Sequence, residues 1–222
     1  MTASLGIPFW SSAEVEASLP ATMTHLEAGH VLAYPTETVY GFGGAVDHAA
    51  VDALVRLKER PPAKPFLLLV ASSEMVTRLE LRLSGYAAQL AARHWPGPLT
   101  LVLPGGGRQI PDRLRGPEGG VAVRWTSHPQ VARLLRAYGR PITSTSANVP
   151  GEPAAMSAGE IIARWDTAIA RGMLRVLDGG HLAASSPSTV VDCTGRRPRV
   201  IRPGAIASAV LRESVPDLIG DI

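Results

Sequence analysis

Apolar residues recur along the chain with two spacings, and together they predict a layered domain. Recurrence every three or four positions indicates helices over 11–26, 49–58, 86–94, 130–138, 158–170 and 205–212. Short apolar runs bounded by Pro, Gly or Ser indicate strands. These strands cover 31–34, 66–70, 99–103, 121–125, 141–145, 174–177, 189–192 and 200–202. Helices interleave with strands, yet several strands follow each other directly, which favours an α/β domain with a mixed sheet.

The first predicted helix has a chemical start signal. Ser11 and Glu14 have the spacing of a capping box, in which each side chain accepts a hydrogen bond from the other residue's backbone N–H. Pro20 lies inside the same helix and is expected to bend or split it.

Composition limits the classes of protein that need considering. The chain has 222 residues, of which 45% are hydrophobic and 18% charged, which is ordinary for a globular domain. It contains no internal repeat, so we expect one domain over 1–222. No apolar run approaches the roughly 20 residues of a membrane span, and the first ten residues do not resemble a secretory signal. A soluble cytoplasmic protein is therefore expected.

Metal and thiol chemistry find little support in the sequence. Cys193 is the one cysteine, so internal disulfides and multi-cysteine metal sites are excluded. It lies in a strand-like pattern that predicts a buried, inert thiol. The six histidines lack ligand spacing, and we expect no metal held by the protein itself. P-loop and nucleophile-elbow motifs are also missing.

Positive charge is concentrated in one short segment. The net charge of +3 does not by itself indicate a nucleic-acid binder. Of 22 Lys and Arg residues, however, only Lys58 and Lys64 are lysines, and Arg60 lies between them. These three cations either cap the end of a helix or neutralise a triphosphate.

Other polar groups stand at the ends of predicted strands, where ligands bind in open α/β sheets. The segment 34–44 (YPTETVYGFGG) is either a strand–turn–strand connection or an anion-binding loop. Arg124 lies in an apolar strand and needs an anionic partner from the protein or a ligand. The segments 144–148 (STSAN) and 188–192 (STVVD) add hydroxyl groups, and Arg202 adds a second strand-end cation. Cations and hydroxyls without a covalent nucleophile suit phosphoryl or nucleotidyl transfer between substrates.

In these motifs the chain resembles the YrdC-like family, the L-threonylcarbamoyladenylate synthases of tRNA modification. The resemblance covers about 30–206. It rests on seven motifs in the same order: 34–43 (YPTETVYGFG), 58–60 (KER) with Lys64, 95–100 (WPGPLT), 121–124 (VAVR), 144–148 (STSAN), 188–192 (STVVD) and 202–204 (RPG).

The resemblance implies a twisted mixed sheet with a deep concave cleft. It also implies an activity that joins L-threonine, bicarbonate or CO2 and ATP into threonylcarbamoyl-AMP, with release of pyrophosphate. Mg²⁺ would accompany the ATP. The product would pass to a downstream tRNA threonylcarbamoyl transferase complex that modifies the adenosine beside the anticodon, and weak binding of tRNA or other RNA is a further expectation.

Site residues follow from the same resemblance, position by position. The threonine side is implied for Thr36, Tyr40, Arg124, Ser144 and Ser188. The ATP side is implied for Lys58, Arg60, Lys64, Ser146, Asn148 and Arg202. No residue is expected to act as a covalent catalyst, and charge stabilisation is assigned to Lys58, Arg60 and Arg124.

Three positions depart from the family pattern. Pro150 and Met156 replace a serine and a threonine that are common after Asn148, and Leu69 replaces a histidine that some members carry near the amino acid. Three alternatives stay open: a domain that forms plain carbamoyl-adenylate, an RNA-binding or ribosome-associated module with a basic cleft, and a protein that binds nucleotide without turnover.

Overall fold

The computed structural model describes residues 6–59 and 65–220. Within these residues the strands are β1 (Gly6–Pro8), β2 (Val31–Tyr34), β3 (Gly41–Gly43), β4 (Leu67–Val70), β5 (Leu99–Leu103), β6 (Val121–Trp125), β7 (Ile142–Ser146), β8 (Leu174–Asp178), β9 (Thr189–Asp192) and β10 (Arg199–Arg202). The helices are α1 (Ser12–Glu27), α2 (His48–Lys58), α3 (Ser73–Arg78), α4 (Gly85–His94), α5 (Pro129–Tyr138), α6 (Ala158–Arg164), α7 (Asp166–Ala170) and α8 (Ser208–Ser214).

All of these strands join one sheet in the order β1-β8-β2-β3-β7-β4-β6-β5-β9-β10. The pairs β1–β8, β2–β8, β4–β6 and β5–β9 are parallel. The pairs β2–β3, β3–β7, β4–β7, β5–β6 and β9–β10 are antiparallel. The predicted α/β class with a mixed sheet is therefore confirmed.

Alternation along the central strands separates a cavity face from a packing face. Successive side chains of a strand point to opposite faces of the sheet. One set of alternate positions lines a large cavity: Thr100 and Val102 on β5, Ala122 and Arg124 on β6, Ser144 and Ser146 on β7, and Val190 and Asp192 on β9. The intervening apolar residues of β5 and β6 are fully buried in the core. The cavity thus has a floor built from alternate positions of four strands.

Two predicted helices differ from the observed ones. The capping box of Ser11 and Glu14 opens α1 as expected, but the helix continues through Pro20 without a break. Proline has no backbone N–H, so the carbonyl of Glu16, four residues earlier, lacks its helical donor. Both residues are exposed, so water can satisfy that carbonyl. The helix predicted over 158–170 is divided at Trp165, whose ring packs edge-on against Phe42 with centroids 4.9 Å apart.

The segment 34–44 forms a strand–turn–strand connection and also borders the cavity. The strand–turn–strand alternative left open from the sequence is therefore the observed one, with β3 as its second strand although glycine-rich sequence disfavours strands. Backbone contact explains the glycine: a Cβ added at Gly43 would lie 1.8 Å from the Thr143 carbonyl oxygen. Next to Gly43, the Thr143 N–H donates to the Gly44 carbonyl at 2.8 Å, and the Gly44 N–H donates to the Thr143 hydroxyl at 2.9 Å. The turn is thereby fixed against β7, which carries three hydroxyl residues of the cavity lining.

The N-terminal residues of the described chain reach the loop after β8. Strand β1 pairs in parallel with β8. Trp10 follows it, and its ring lies so close to Gly180 that an added Cβ would be 1.6 Å from a ring carbon. The carbonyl of Trp10 accepts a hydrogen bond from Gln130 Nε2 at 2.7 Å. Among the described residues, no helix combines the length and apolar character needed to cross a membrane.

Replacing Gly43 with alanine tests the close approach of β3 and β7. We expect Gly43→Ala to lower the free energy of unfolding by roughly 3 kcal/mol, because the methyl group must displace backbone. Urea denaturation followed by circular dichroism measures the change. Gly159→Ala is the control, since this exposed helical glycine has open space around its Cβ position and should gain up to about 1 kcal/mol. Equal stability of Gly43→Ala and the parent chain would contradict the packing described.

Candidate functional site

A cavity of about 830 Å³ lies on the polar face of the sheet. Its walls come from the β2–β3 turn, the loop before β6, the loops after β7 and β8, and the edge strand β10. It brings together seven of the residues assigned to the site from the sequence: Thr36, Arg124, Ser144, Ser146, Asn148, Ser188 and Arg202. Threonine-side and ATP-side residues therefore share one cavity.

Lys58 stands behind the cavity wall, not in its lining. Its side chain is buried at the C-terminal end of α2, with only 3% of the residue exposed. The ammonium donates to the carbonyl oxygens of Ser146 and Asn148 and, at 2.6 Å, to Asn148 Oδ1. An ammonium has three protons, and three acceptors of the 146–148 loop surround it. Lys58 thus fixes the loop whose side chains face the cavity.

The 146–148 loop carries its own hydrogen bonds as well. Ser146 Oγ donates to Asn148 Oδ1 at 2.7 Å, and Asn148 Nδ2 donates to the Glu152 carbonyl at 2.6 Å. The Asn148 side chain is therefore held on both sides. Its Oδ1 accepts from a cation and a hydroxyl at once, which orients the amide at the cavity wall.

Tyr40 is buried next to the cavity and is not among its lining residues. Its hydroxyl donates to the Gly180 carbonyl at 2.8 Å and accepts from Gly179 N–H at 3.1 Å. Burial is the main cause that raises the pKa of Tyr40 to about 12. In this structure Tyr40 anchors the start of the segment 179–188, whose residues Ala184, Ser185 and Pro187 border the cavity.

Arg60 and Lys64, assigned to the ATP side, lie outside the described residues. Their predicted roles stay predictions.

Arg124 has the anionic partner that its apolar surroundings require. Its Nε lies 3.6 Å from Glu37 Oε1, and its Nη1 donates to Thr38 Oγ1 at 3.3 Å. The Arg124 side chain is 5% exposed and that of Glu37 is 14% exposed. The sequence left open whether the partner would come from protein or ligand, and the protein supplies one. Among the described residues, Nη2 of Arg124 has no hydrogen-bond partner, so it is available to a ligand in the cavity.

Thr36 holds the turn that carries this carboxylate. Its hydroxyl donates to the Val39 carbonyl at 2.7 Å and accepts from the backbone N–H groups of Thr38 and Val39. Hydroxyl groups commonly stabilise turns in this way. The turn is therefore rigid where it borders the cavity.

Arg202 and Ser188 form a second polar cluster on the rim. Arg202 Nη2 donates to the Ser188 carbonyl at 2.7 Å and to Ser188 Oγ at 3.0 Å. Ser188 Oγ also pairs with Thr100 Oγ1 at 2.8 Å. Burial, and secondly the positive charge of Arg124, lower the pKa of Arg202. The two arginines therefore act on each other electrostatically across one cavity.

The part of the cavity towards the β9–β10 end has an apolar floor and a charged edge. Val102, Ala122 and Val190 form the floor. At the edge, Asp192 Oδ2 lies 3.6 Å from Arg199 Nη2, and Asp192 Oδ1 accepts from the hydroxyl of Thr194. Such a floor beside polar groups suits a ligand with a flat ring and a polar tail.

The three departures from the family pattern lie in different places. Leu69 pairs in register with Arg124 and is buried beside it. Met156 lines the cavity. Pro150 is exposed in the loop after β7 and is not a lining residue.

Several polar residues at the site were not assigned from the sequence, and three of them contact residues that were. Thr38 accepts from Arg124, Thr100 pairs with Ser188, and Glu37 neutralises Arg124. Alternation on β5 could have identified Thr100, because Leu99, Leu101 and Leu103 already mark the other face. Thr38 and Glu37 depend on a turn geometry that alternation does not describe.

The residues that line the cavity can position ligands and supply positive charge. The described residues that line the cavity include neither cysteine nor histidine. Cys193 lies outside the lining, and burial raises the pKa of its thiol to about 12. Guanidinium groups, hydroxyls and backbone dipoles stabilise negative charge that develops during a reaction. The cavity can therefore hold and orient anionic substrates that react with each other.

Comparison with known proteins gives consistent matches. The sequence model of the Sua5/YciO/YrdC family, described as "Telomere recombination", matches residues 24–204. The threonylcarbamoyl-AMP synthase of Chromohalobacter salexigens is 42% identical over 171 residues, which is 75% of this chain and 88% of the relative. The threonylcarbamoyl-AMP synthase of Pyrococcus abyssi is 36% identical over 198 residues, 89% of this chain. The chain spans 56% of the length of that relative.

Solved structures match the same fold. The crystal structure of P. abyssi Sua5 complexed with L-threonine superposes with a TM-score of 0.85 at 30% identity. The match covers 96% of this chain and 62% of that protein.

Replacing Lys58 tests whether its charge holds the 146–148 loop. Lys58→Met should speed hydrogen exchange of the Ala147 and Asn148 amides at least tenfold, because the loop loses the three hydrogen bonds from the ammonium. Arg56→Met removes the same charge from an exposed position on α2 and should leave these amides unchanged. Mass-spectrometric hydrogen exchange measures both. Equal exchange in the two variants would mean that Lys58 does not hold the loop.

Proposed function

The chain belongs to the Sua5/YciO/YrdC family, and from that premise we propose that it is a threonylcarbamoyl-AMP synthase acting as a nucleotidyltransferase. The observation that carries this proposal is the single cavity that brings Arg124 and Arg202 together with hydroxyls from four strands and loops. The family's reaction needs an amino acid and a nucleotide side by side. A cavity lined by two guanidinium groups from different strands, β6 and β10, meets that need.

The chemistry proceeds through nucleophiles that belong to substrates. The threonine amine attacks CO2 and loses a proton, which forms a carbamate. A carbamate oxygen then attacks the α-phosphate of ATP, and the bond from that phosphorus to the bridging oxygen breaks to release pyrophosphate. The protein's part is to align the reactants and to stabilise negative charge. This assignment agrees with a lining of arginine and hydroxyl groups.

The threonine end of the cavity is proposed to lie at Arg124. The free Nη2 of its guanidinium would receive the amino-acid carboxylate, since guanidinium groups bind carboxylates in a fixed geometry. Thr36 and Ser144 supply hydroxyls to the same cavity. Ser188, assigned to this end from the sequence, is hydrogen-bonded to Arg202 and to Thr100 and would lie between the two ends. Tyr40, assigned to this end from the sequence, would act through the segment 179–188 that it anchors.

The ATP end is proposed to lie at Arg202, Ser146 and Asn148. Lys58 supports it by holding the 146–148 loop, and Arg60 and Lys64 remain proposed phosphate ligands. Mg²⁺ is proposed to arrive with ATP and to bind mainly through phosphate oxygens, as it commonly does. It would neutralise charge on the phosphates. The neutral oxygens of Ser146 and Asn148 are compatible with such a complex.

The wider context of the reaction is also a proposal. Bicarbonate would supply the CO2, and a tRNA threonylcarbamoyl transferase complex in the cytoplasm would take the product. Residues 1–222 are proposed to form one domain that carries out the adenylation.

Pyrophosphate release tests the activity directly. With ATP, Mg²⁺, bicarbonate and L-threonine, the pure protein should release pyrophosphate, and omission of threonine should abolish the signal because the first nucleophile is then missing. Release that does not depend on threonine would favour the carbamoyl-adenylate reaction. No release under any condition would remove the synthase assignment.

Arg124→Met tests the threonine end. The variant should raise the KM for threonine and lower kcat/KM at least tenfold, about 1.4 kcal/mol of transition-state stabilisation. Steady-state pyrophosphate assays at varied threonine measure it. Arg133→Met, which removes an exposed arginine paired with Glu16, is the control and should keep parental kinetics. Parental kinetics in Arg124→Met would take this residue out of the site.

A further inference from the structure

Three arginines line the described part of the cavity, and they differ in their partners. Arg124 faces the carboxylate of Glu37 at 3.6 Å, and Arg199 faces that of Asp192 at 3.6 Å. Arg202 is bound by neutral oxygens of Ser188, and no described carboxylate forms a salt bridge with it. Arg202 is therefore the cavity arginine whose charge is not compensated by an ion pair.

Glu37 is built into the wall behind Arg124. Its Oε2 accepts from Thr126 Oγ1 at 2.7 Å, which fixes the carboxylate. Its Oε1 and the Nε of Arg124 face each other, and both are buried without a hydrogen-bond partner. Glu37 is not a lining residue of the cavity. Its influence on a ligand therefore passes through Arg124 and through its electric field.

The two ends of the cavity consequently attract different anions. A ligand at Arg124 meets the guanidinium together with a fixed negative charge behind it. Coulomb energies in a partly buried site fall slowly with distance, so each negative charge of a polyphosphate is repelled by Glu37. An amino acid carries one negative and one positive charge, and its net interaction with Glu37 is small. At Arg202 a polyphosphate meets no such opposing carboxylate.

We propose that Glu37 is a positioning residue that keeps polyphosphate away from Arg124, so that the triphosphate binds at the Arg202 end and the Arg124 end stays open to the amino acid. The inference rests on the proposed function for the identity of the two ligands. The direction of the Arg202 pKa agrees with it: burial and Arg124 lower that pKa, and no acidic group counters them.

Binding of inorganic tripolyphosphate tests this division without any turnover. In an Arg202→Met background the ATP end loses one of its cations, and calorimetry should detect weakened binding. Adding Glu37→Gln, which keeps the shape and can keep the hydrogen bond from Thr126, should tighten tripolyphosphate binding at least tenfold. Adding Arg124→Met to that double variant should abolish the gain. Glu16→Gln in the same background, which neutralises an exposed Arg-paired glutamate, should change nothing.

The outcomes separate clearly. A tenfold gain that requires Arg124 supports the proposal, and an affinity within twofold of the Arg202→Met background overturns it. L-threonine should displace the tripolyphosphate gained through Glu37→Gln, which a general loosening of the fold would not produce. Thermal unfolding of each variant verifies that the chain is folded.

A second comparison does not alter Glu37, and it decides the matter if the glutamine variant fails to fold. In the parent chain, Arg202→Met should weaken tripolyphosphate binding at least tenfold, whereas Arg124→Met should change it less than threefold. The reverse order would overturn the proposal. These binding results do not depend on pyrophosphate release. A protein that binds tripolyphosphate as expected here but shows no threonine-dependent turnover would contradict the proposed function and not the role of Glu37.

Discussion

Positively charged side chains that are buried inside the domain need partners there. The contacts of Lys58 and Arg124 with their partners hold the loops of the site in place. A buried cation that loses its partner costs several kcal/mol. Lys58 is satisfied by two carbonyls and an amide oxygen of the 146–148 loop, and so its charge shapes that loop. The charge of Arg124 is offset by the carboxylate of Glu37, which lies 3.6 Å away on the β2–β3 turn. The two cations thus connect α2 and β6 to the loops that enclose the cavity.

Sequence patterns predicted the parts of the fold that depend on local chemistry. The short apolar runs of β4, β5 and β6 were correctly interpreted as strands, because burial in the sheet selects apolar residues there. Patterns failed where tertiary contact decides the conformation. The glycine-rich β3 exists because its backbone pairs on both sides, with Gly43 in contact with the Thr143 carbonyl. Pro20 was expected to bend or split α1, and it does not split the helix, because Glu16, whose carbonyl lacks a helical donor, is exposed to water.

Site residues were predictable as a group but not in their separate tasks. Seven of those named from the sequence line one cavity, since strand ends and turns that carry polar groups converge in a sheet of this kind. Which residue touches a ligand and which supports another residue depends on directions that spacing does not encode. Lys58 and Tyr40 stand in the wall, where they hold the 146–148 loop and the segment after β8. Glu37 matters only through the charge that it faces, which no linear motif contains.

Strand β1 and Trp10 lie before residue 24, where the family match begins. Yet β1 covers the outer edge of β8, and the indole of Trp10 rests on Gly180 at the start of the segment bordering the cavity. A chain shortened to begin at residue 24 would expose the edge of β8 and would lose the packing of the Trp10 ring against Gly180. The N-terminal segment is therefore an outer brace of the cavity, because it supports β8 and the loop that follows it.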